Sequence, residues 1–197
     1  MMLIDESEVT ETIFPVDALK RHLRLGSGFA EDDLQDAVLL SFVRAASVAI
    51  EGRTGKALFT RSFRLVTHRW RERDRVALPI APVVSVEALA LEDADGVQQV
   101  VEPSRYRLEA DAHAPALVAR SGSLPDIPEG GKAEIAFSAG YGTTFETLPA
   151  DLAQAVLLLA AHYYEYRHET ALGEGCMPFG VTSLIARYRP LRMGFGA

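Results

Sequence analysis

The hydrophobic period of this chain changes twice along its length, and that order restricts the fold more than any other feature of the sequence. Apolar residues recur every three or four positions near both ends, in the segments 14–26, 30–55 and 149–169. Between about Leu58 and Ala139 they alternate with polar residues in short runs, as on half-buried strands. The sequence therefore predicts an α+β protein: a helical bundle built from the N- and C-terminal segments, with an inserted small antiparallel β domain.

The predicted domain boundaries follow these changes of period. Asp95-Gly96 is a hairpin signal inside the β unit, because a tight hairpin turn needs the positive φ that glycine adopts. Pro149 suits the first position of the last long helix, and Pro190 ends the helical pattern. The predicted units are a helical core of residues 1–57 and 140–189, an inserted β unit of residues 58–139, and an extended C-terminal tail of residues 190–197.

The second N-terminal helix is predicted to bury one face. Acidic residues fill its first turn, where the helix dipole favours them, and Gly52 and Gly55 mark its end. Spacing of three and four residues assigns to the buried face Leu34, Val38, Phe42, Ala45 and Ala49.

The long helix near the C-terminus is apolar almost all the way round. Between Leu152 and Ala161 the only polar residue is Gln154, whereas a helix buried on one side shows an apolar stripe. Such a helix either lies at the centre of its own domain or packs part of its surface against a neighbouring subunit. The candidate residues for this subunit interface or core are Leu152, Val156, Leu159 and Tyr163.

The composition excludes several classes of protein. The chain has 197 residues, 48% of them hydrophobic, and its single cysteine, Cys176, excludes an internal disulfide. The longest apolar run falls well short of the ~20 residues that a membrane span needs. The acidic N-terminus does not read as a signal peptide. We therefore expect a soluble protein made in the cytoplasm, without membrane contact.

The charge distribution is acidic overall but uneven. The formal net charge is −7, whereas a general nucleic-acid binder needs a positive surplus to displace counterions from phosphates. The basic C-terminal end is interpreted either as an arm that touches DNA or as a segment that docks on an acidic protein surface. The acidic head contains Asp5, Glu6, Glu8 and Glu11, and the basic end contains Arg187, Arg189 and Arg192.

The stretch AHYYEYRHET combines His162, Glu165, His168 and Glu169, and so invites a metal or acid–base interpretation. It lacks the His-Glu-x-x-His spacing of a zinc helix, and no second Glu-x-x-His helix accompanies it. We therefore predict the polar end of a helix, with no catalytic, cofactor-binding or metal-binding residue. A metal-dependent enzyme that uses these four residues is kept as the weaker alternative.

The C-terminal half resembles the head–tail connector (neck adaptor) proteins of long-tailed phages and of phage-derived gene transfer agents. The resemblance lies in LPADLAQAVLLLAAHYYEYRHE, then a glycine-rich break, then PFGVTSLIARYRPLRMG, and the N-terminal run EGRTGKAL is also similar to this family. The matching positions are Leu148, Pro149, Asp151, Leu152, Ala155, Tyr164, Glu165, Arg167, Pro178, Gly180, Val181, Leu184, Tyr188, Arg189 and Arg192.

This resemblance implies a structural protein of a particle neck, without catalysis. Members of the family form a ring, commonly of twelve subunits, beneath the portal protein. The ring continues the DNA channel without specific DNA binding and offers a platform to the next neck or tail component, the stopper. The resemblance assigns portal docking to a C-terminal segment containing Val181, Leu184, Ile185, Arg187, Tyr188, Arg189 and Arg192. A monomeric binding module, whose β unit recognises a ligand, remains the alternative from another class.

Overall fold

The computed structural model describes residues 1–7, 9–25, 33–167 and 177–189, and within them the chain forms helices and strands in an α+β arrangement. The predicted fold class is confirmed at that level, and the bundle arrangement of the helices stays a prediction. The helices are α1 (Val16–His22), α2 (Asp33–Thr54), α3 (Ala150–Glu165) and α4 (Phe179–Ile185). The strands are β1 (Met2–Asp5), β2 (Arg61–Thr67), β3 (Arg75–Ala77), β4 (Val83–Glu92), β5 (Gln98–Val100), β6 (Tyr106–Glu109), β7 (Ala116–Ala119) and β8 (Lys132–Ala139).

The chain divides into two compact units. One, the β unit, takes residues 1–8 and 59–141, and the other, the helical unit, takes residues 9–58 and 142–197. The β unit contains a five-stranded sheet in the order β1-β2-β8-β4-β5 and a three-stranded sheet in the order β3-β7-β6. All recorded strand pairs are antiparallel.

Alternating burial along β8 shows why this sheet forms. Ala133, Ile135, Phe137 and Ala139 are buried, and the residues between them are only half-buried. Because successive side chains on a strand point to opposite faces, one face of β8 enters the core. Phe137 stacks on Phe63 of β2, with ring centroids 5.6 Å apart. The large sheet therefore has one apolar face and one polar face.

The predicted turn at Asp95-Gly96 is confirmed between β4 and β5. Gly96 has a φ of 83°, which suits glycine. The Asp93 carboxylate accepts hydrogen bonds from the backbone N–H groups of Asp95 and Val97, at 3.0 and 2.9 Å. This Asx-type pattern fixes the loop, so the register of the edge strand β5 is set locally.

The N-terminal strand β1 was not predicted from the sequence. Met2 to Asp5 pair with β2, more than fifty residues later in the chain. Asp5 forms an ion pair with Arg61 at 2.6 Å, and Glu6 forms one with Arg64 at 2.6 Å. Part of the acidic head is therefore neutralised by the β unit itself.

A chain of ion pairs crosses the polar face of the large sheet. Arg64 bridges Glu6 and Glu134, and Lys132 bridges Glu134 at 2.9 Å and Glu92 at 3.2 Å. Opposite charges therefore alternate across neighbouring strands, an arrangement that favours the correct strand register.

This network predicts an acid-sensitive contribution to stability. Hydrogen bonds from Gln98 and from Lys132 lower the pKa of Glu92 below its ordinary value. A lowered pKa stabilises the fold above the ordinary pKa of the carboxyl group, and that contribution is lost as the pH falls through the lowered value. We expect Glu92→Gln to be less stable than the wild type at pH 7, with the difference shrinking at pH 3. Urea unfolding at several pH values measures the difference.

Glu72→Gln is the matched control for this experiment. Glu72 is exposed and has no hydrogen-bond or ion-pair partner among the described residues. Its variant should differ from the wild type by a small amount that does not change between pH 7 and pH 3. A pH-independent difference for Glu92→Gln would contradict the proposed contribution.

In the helical unit, α3 packs against α1, α2 and α4. The predicted buried face of α2 was wrong by about one position: Val38 and Ala45 are exposed, whereas the fully buried side chains are Leu39, Val43, Ala46 and Ile50. The error has a simple cause. Apolar residues occupy both faces of α2, so two helical rows fit the spacing equally well. No helix in the described part of the chain is both long enough and apolar enough to cross a membrane.

Candidate functional site

The C-terminal helix α4 is anchored on its own unit through one face. Pro178 precedes the helix in an extended conformation that suits the entry to a helix. Val181 and Ile185 are buried at 0% and 1% exposure, and Tyr188, just after the helix, is buried at 8%. Three of the predicted docking residues therefore hold the segment in place, because they pack within the helical unit rather than facing solvent.

Asp151, at the start of α3, ties down the end of this segment. The Tyr188 hydroxyl donates a hydrogen bond to Asp151 Oδ1 at 2.7 Å, and the Leu152 backbone N–H donates to the same oxygen at 3.0 Å. The Arg187 guanidinium lies 2.8 Å from Asp151 Oδ2 and also donates to the Tyr188 hydroxyl. Burial, and then the hydrogen bond to Asp151, raise the pKa of Tyr188, so the phenol stays protonated and keeps its donor.

The described docking residues therefore differ in exposure: Val181, Ile185 and Tyr188 are buried, whereas the others are half-buried or exposed. Leu184 is half-buried and Arg189 is exposed, so both can meet another surface. Arg187 is exposed but bound to Asp151. Arg192 and the predicted tail 190–197 lie outside the described residues.

The Asp151 contact predicts a modest effect of removing one hydroxyl. Tyr188→Phe keeps the buried ring and deletes the donor to a carboxylate, so we expect the free energy of unfolding to fall by about 1.5 kcal/mol. Urea unfolding followed by circular dichroism measures it. Tyr166→Phe is the control, because the described residues offer the exposed Tyr166 hydroxyl no hydrogen bond, and its expected change is within ~0.5 kcal/mol. Equal stabilities of Tyr188→Phe and the wild type would show that the contact contributes nothing.

The apolar row of α3 lies inside the helical unit. Leu152, Val156 and Leu159 are buried at 0–1% exposure against the other helices of that unit. Tyr163 is half-buried, and burial raises the pKa of its phenol. None of the first three side chains offers a free surface to a partner.

The polar end of α3 does not assemble a metal site in the part of the chain that the structure describes. His162 lies against Tyr166 with ring centroids 4.6 Å apart and the ring planes tilted by 45°, and Glu165 is exposed. His168 and Glu169 lie outside the described residues. Within those residues, no group of three His, Cys, Asp or Glu side chains is arranged to hold a metal ion.

The structure also reveals surface residues that the sequence did not single out. Phe179, at the start of α4, is 87% exposed, and Val48, in the middle of α2, is 67% exposed. Large apolar side chains that stand this far into solvent are candidates for contact with another protein surface. For Val48, the sequence signal was the nearly uncharged stretch from Ala37 to Ile50, in which Arg44 is the one charged residue.

Comparison with known proteins identifies the family. No protein-family model matches the chain, and no curated protein matches it. A chain in the neck of an empty gene transfer agent (GTA) particle, computed with C6 symmetry, is 52% identical and gives a TM-score of 0.90. The match covers 100% of this chain and 99% of that one. This chain belongs to the neck (head–tail connector) proteins of gene transfer agents.

Two further solved structures agree with this family assignment. A chain of the virion of a native GTA particle is 51% identical, with a TM-score of 0.88. A chain of the neck of a native GTA particle, computed with C12 symmetry, is 48% identical, with a TM-score of 0.85. Both matches cover 100% of the neck protein and 99% of the other chain. The resemblance found in the sequence is therefore confirmed, and the neck protein is a structural part of a virion-like particle rather than an enzyme.

Proposed function

We propose that this neck protein forms a closed ring of twelve copies beneath the portal, extends the DNA channel, and provides the platform for the next neck or tail component. The observation that carries the proposal is the full-length identity of 48–52% to chains of GTA necks computed with C6 and C12 symmetry. Identity at this level over the whole chain supports the same subunit shape, and a ring follows from repetition of one subunit contact until it closes.

In this proposal the C-terminal segment docks on the portal. The buried side chains Val181, Ile185 and Tyr188 hold the segment on the helical unit, and Arg187 reinforces this through Asp151. Leu184, Arg189 and Arg192 then make the portal contact. Arginine suits such a contact because its planar guanidinium pairs with carboxylates through two hydrogen bonds.

The acidic charge fits a channel that DNA crosses without binding. A net charge of −7 repels phosphates on average, so the ring guides DNA without holding it. Specificity in the neck then rests on contacts between proteins, and the proposed role needs neither a cofactor nor a metal.

Reconstitution with the portal tests this function. The purified full-length chain is mixed with its portal protein, and native mass spectrometry measures the complex. The proposal predicts one neck-protein ring per portal, of twelve copies, even if the chain alone is a monomer. A chain that binds the portal singly, or not at all, would favour the monomeric binding module instead.

A further inference from the structure

The outer face of α2 is an apolar surface that nothing in the described part of the helical unit covers. Val38 and Val48 are 44% and 67% exposed, and Ala45 between them is also exposed. The Ser41 hydroxyl on the same face donates a hydrogen bond to the Val38 carbonyl at 2.7 Å, so its donor is satisfied within the helix. A solvated helix face normally carries several charges, yet this one has Arg44 alone, which pairs with Glu11 at 3.0 Å.

A second apolar surface lies on α4. Phe179 is the most exposed of the large apolar side chains in the described residues, and Ser183, one helical turn later, is exposed as well. Val181 and Ile185 point into the core, so Phe179 stands on the opposite side of the helix from the anchor. We call Phe179 and Ser183 the α4 face, and Val38, Ser41, Ala45 and Val48 the α2 face.

The two faces lie on different helices, α2 and α4, which both pack against α3. Between α2 and α4 themselves, the contact is slight at most. A subunit in a closed ring of identical copies meets its two neighbours through two different surfaces on nearly opposite sides. The α2 face and the α4 face supply two different surfaces of that kind, one on each helix.

The charges around the two faces are complementary. Glu11 also lines a shallow cleft in which three exposed acids, Glu11, Asp17 and Glu146, outnumber one exposed base, Arg21; the half-buried Phe14 and Val16 line it as well. The segment from Met177 to Arg189 contains no acidic residue and carries two exposed arginines, of which Arg187 is paired with Asp151 and Arg189 has no ion-pair partner among the described residues. A basic, phenylalanine-bearing surface of one copy thus matches an acidic, partly apolar surface of the next.

We propose that the lateral seam of the ring forms where the α4 face of one copy, led by Phe179, packs on the α2 face of the neighbouring copy. The partner is a second copy of this chain, and the seam rests on the ring proposed above. Leu184 lies on neither face, so the seam leaves it available for the portal.

Cysteine cross-linking tests the seam directly. Val48→Cys and Phe179→Cys are combined in one chain that also carries Cys176→Ser. Portal complexes are reconstituted with this chain and treated with a bis-maleimide that spans ~10 Å, one helix diameter. The double variant should give a ladder of linked chains up to the full ring, and each single variant should remain monomeric on a denaturing gel. Efficient linking by either single variant would contradict a seam made of two different faces.

Charge substitution gives an independent test. Val48→Asp and Phe179→Asp should each lower the yield of complete rings at least tenfold, since a charge in an apolar seam removes an anchor contact. Val97→Asp is the matched control, because Val97 is 65% exposed but belongs to the β unit. Normal ring yield from both variants would overturn the seam.

The outcomes separate the seam from the ring. In one outcome, the wild type gives a twelve-copy ring with a non-specific cross-linker while positions 48 and 179 do not link. That result would contradict the seam and would still support the ring. A wild-type chain that forms no ring on the portal overturns both.

Discussion

Leu184→Asp is expected to leave the neck protein folded and to weaken its attachment to the portal strongly. Leu184 is half-buried on α4, beside the anchor residues but not among the buried ones. An aspartate at that position remains hydrated in the free subunit, so the fold tolerates it. In the proposed portal contact the same carboxylate would be desolvated without a partner, which costs about 2 kcal/mol or more and lowers the affinity roughly 30-fold.

Two measurements check this prediction. Co-sedimentation of the purified variant with the portal gives the affinity, and electron microscopy of particles made with the variant counts heads that lack tails. Val97→Asp is the control, since it adds the same charge to an exposed valine of the β unit and should attach normally. Wild-type binding by Leu184→Asp would remove this residue from the docking surface.

Arg187 belongs to the anchor of the C-terminal segment, so Arg187→Glu tests portal docking less clearly than Leu184→Asp does. Arg187→Glu would place a second acid beside Asp151, where the wild type has an ion pair at 2.8 Å. Like charges at that distance loosen the segment from α3. Loss of attachment by Arg187→Glu would therefore mix a docking defect with a folding defect, and Leu184→Asp avoids that mixture.

Val181→Asp is expected to have the largest effect on stability. The Val181 side chain is fully buried between α4 and the rest of the helical unit. A carboxylate there has no partner in place, so we expect the free energy of unfolding to fall by about 4 kcal/mol. The C-terminal segment should detach, and particles should lack tails because the docking residues lose their support.

Urea unfolding and proteolysis distinguish this effect from the previous one. Val181→Asp should unfold at a clearly lower urea concentration and should expose the C-terminal segment to protease. Leu184→Asp, three residues later on the same helix, should match the wild type in both assays. A stable, protease-resistant Val181→Asp would mean that α4 is not held by this side chain.

Local sequence signals predicted the order of the elements but not their long-range pairing. The change of period placed strands between helical segments, and Asp95-Gly96 marked a real turn because its chemistry is local. Strand β1 was not predicted, because its partner β2 lies more than fifty residues away and the segment from Met2 to Asp5 is too short for a periodic signal. Its acids were assigned to an acidic head, and two of them, Asp5 and Glu6, pair with arginines of β2.

The surfaces were harder to predict than the elements. Helix α2 carries apolar residues on two faces, so spacing alone selected Val38, whereas burial selects Leu39. Likewise, the sequence could not tell whether the apolar row of α3 meets its own unit or a neighbour. Leu152, Val156 and Leu159 are buried by the other helices of the unit, and the position of those helices does not follow from the spacing of apolar residues in α3. The exposure of Phe179 follows from the burial of Val181 and Ile185, which determines the side of α4 that faces solvent.

The central claim is that this neck protein acts by closing a ring of identical copies that holds the portal through its C-terminal segment. Cryo-electron microscopy of the particle neck, with this chain traced in the density, tests that claim most directly. The account predicts twelve equivalent copies around the channel, with Leu184 and Arg189 against the portal. Isolated copies without contacts to one another, or a C-terminal segment that touches no other chain, would contradict it.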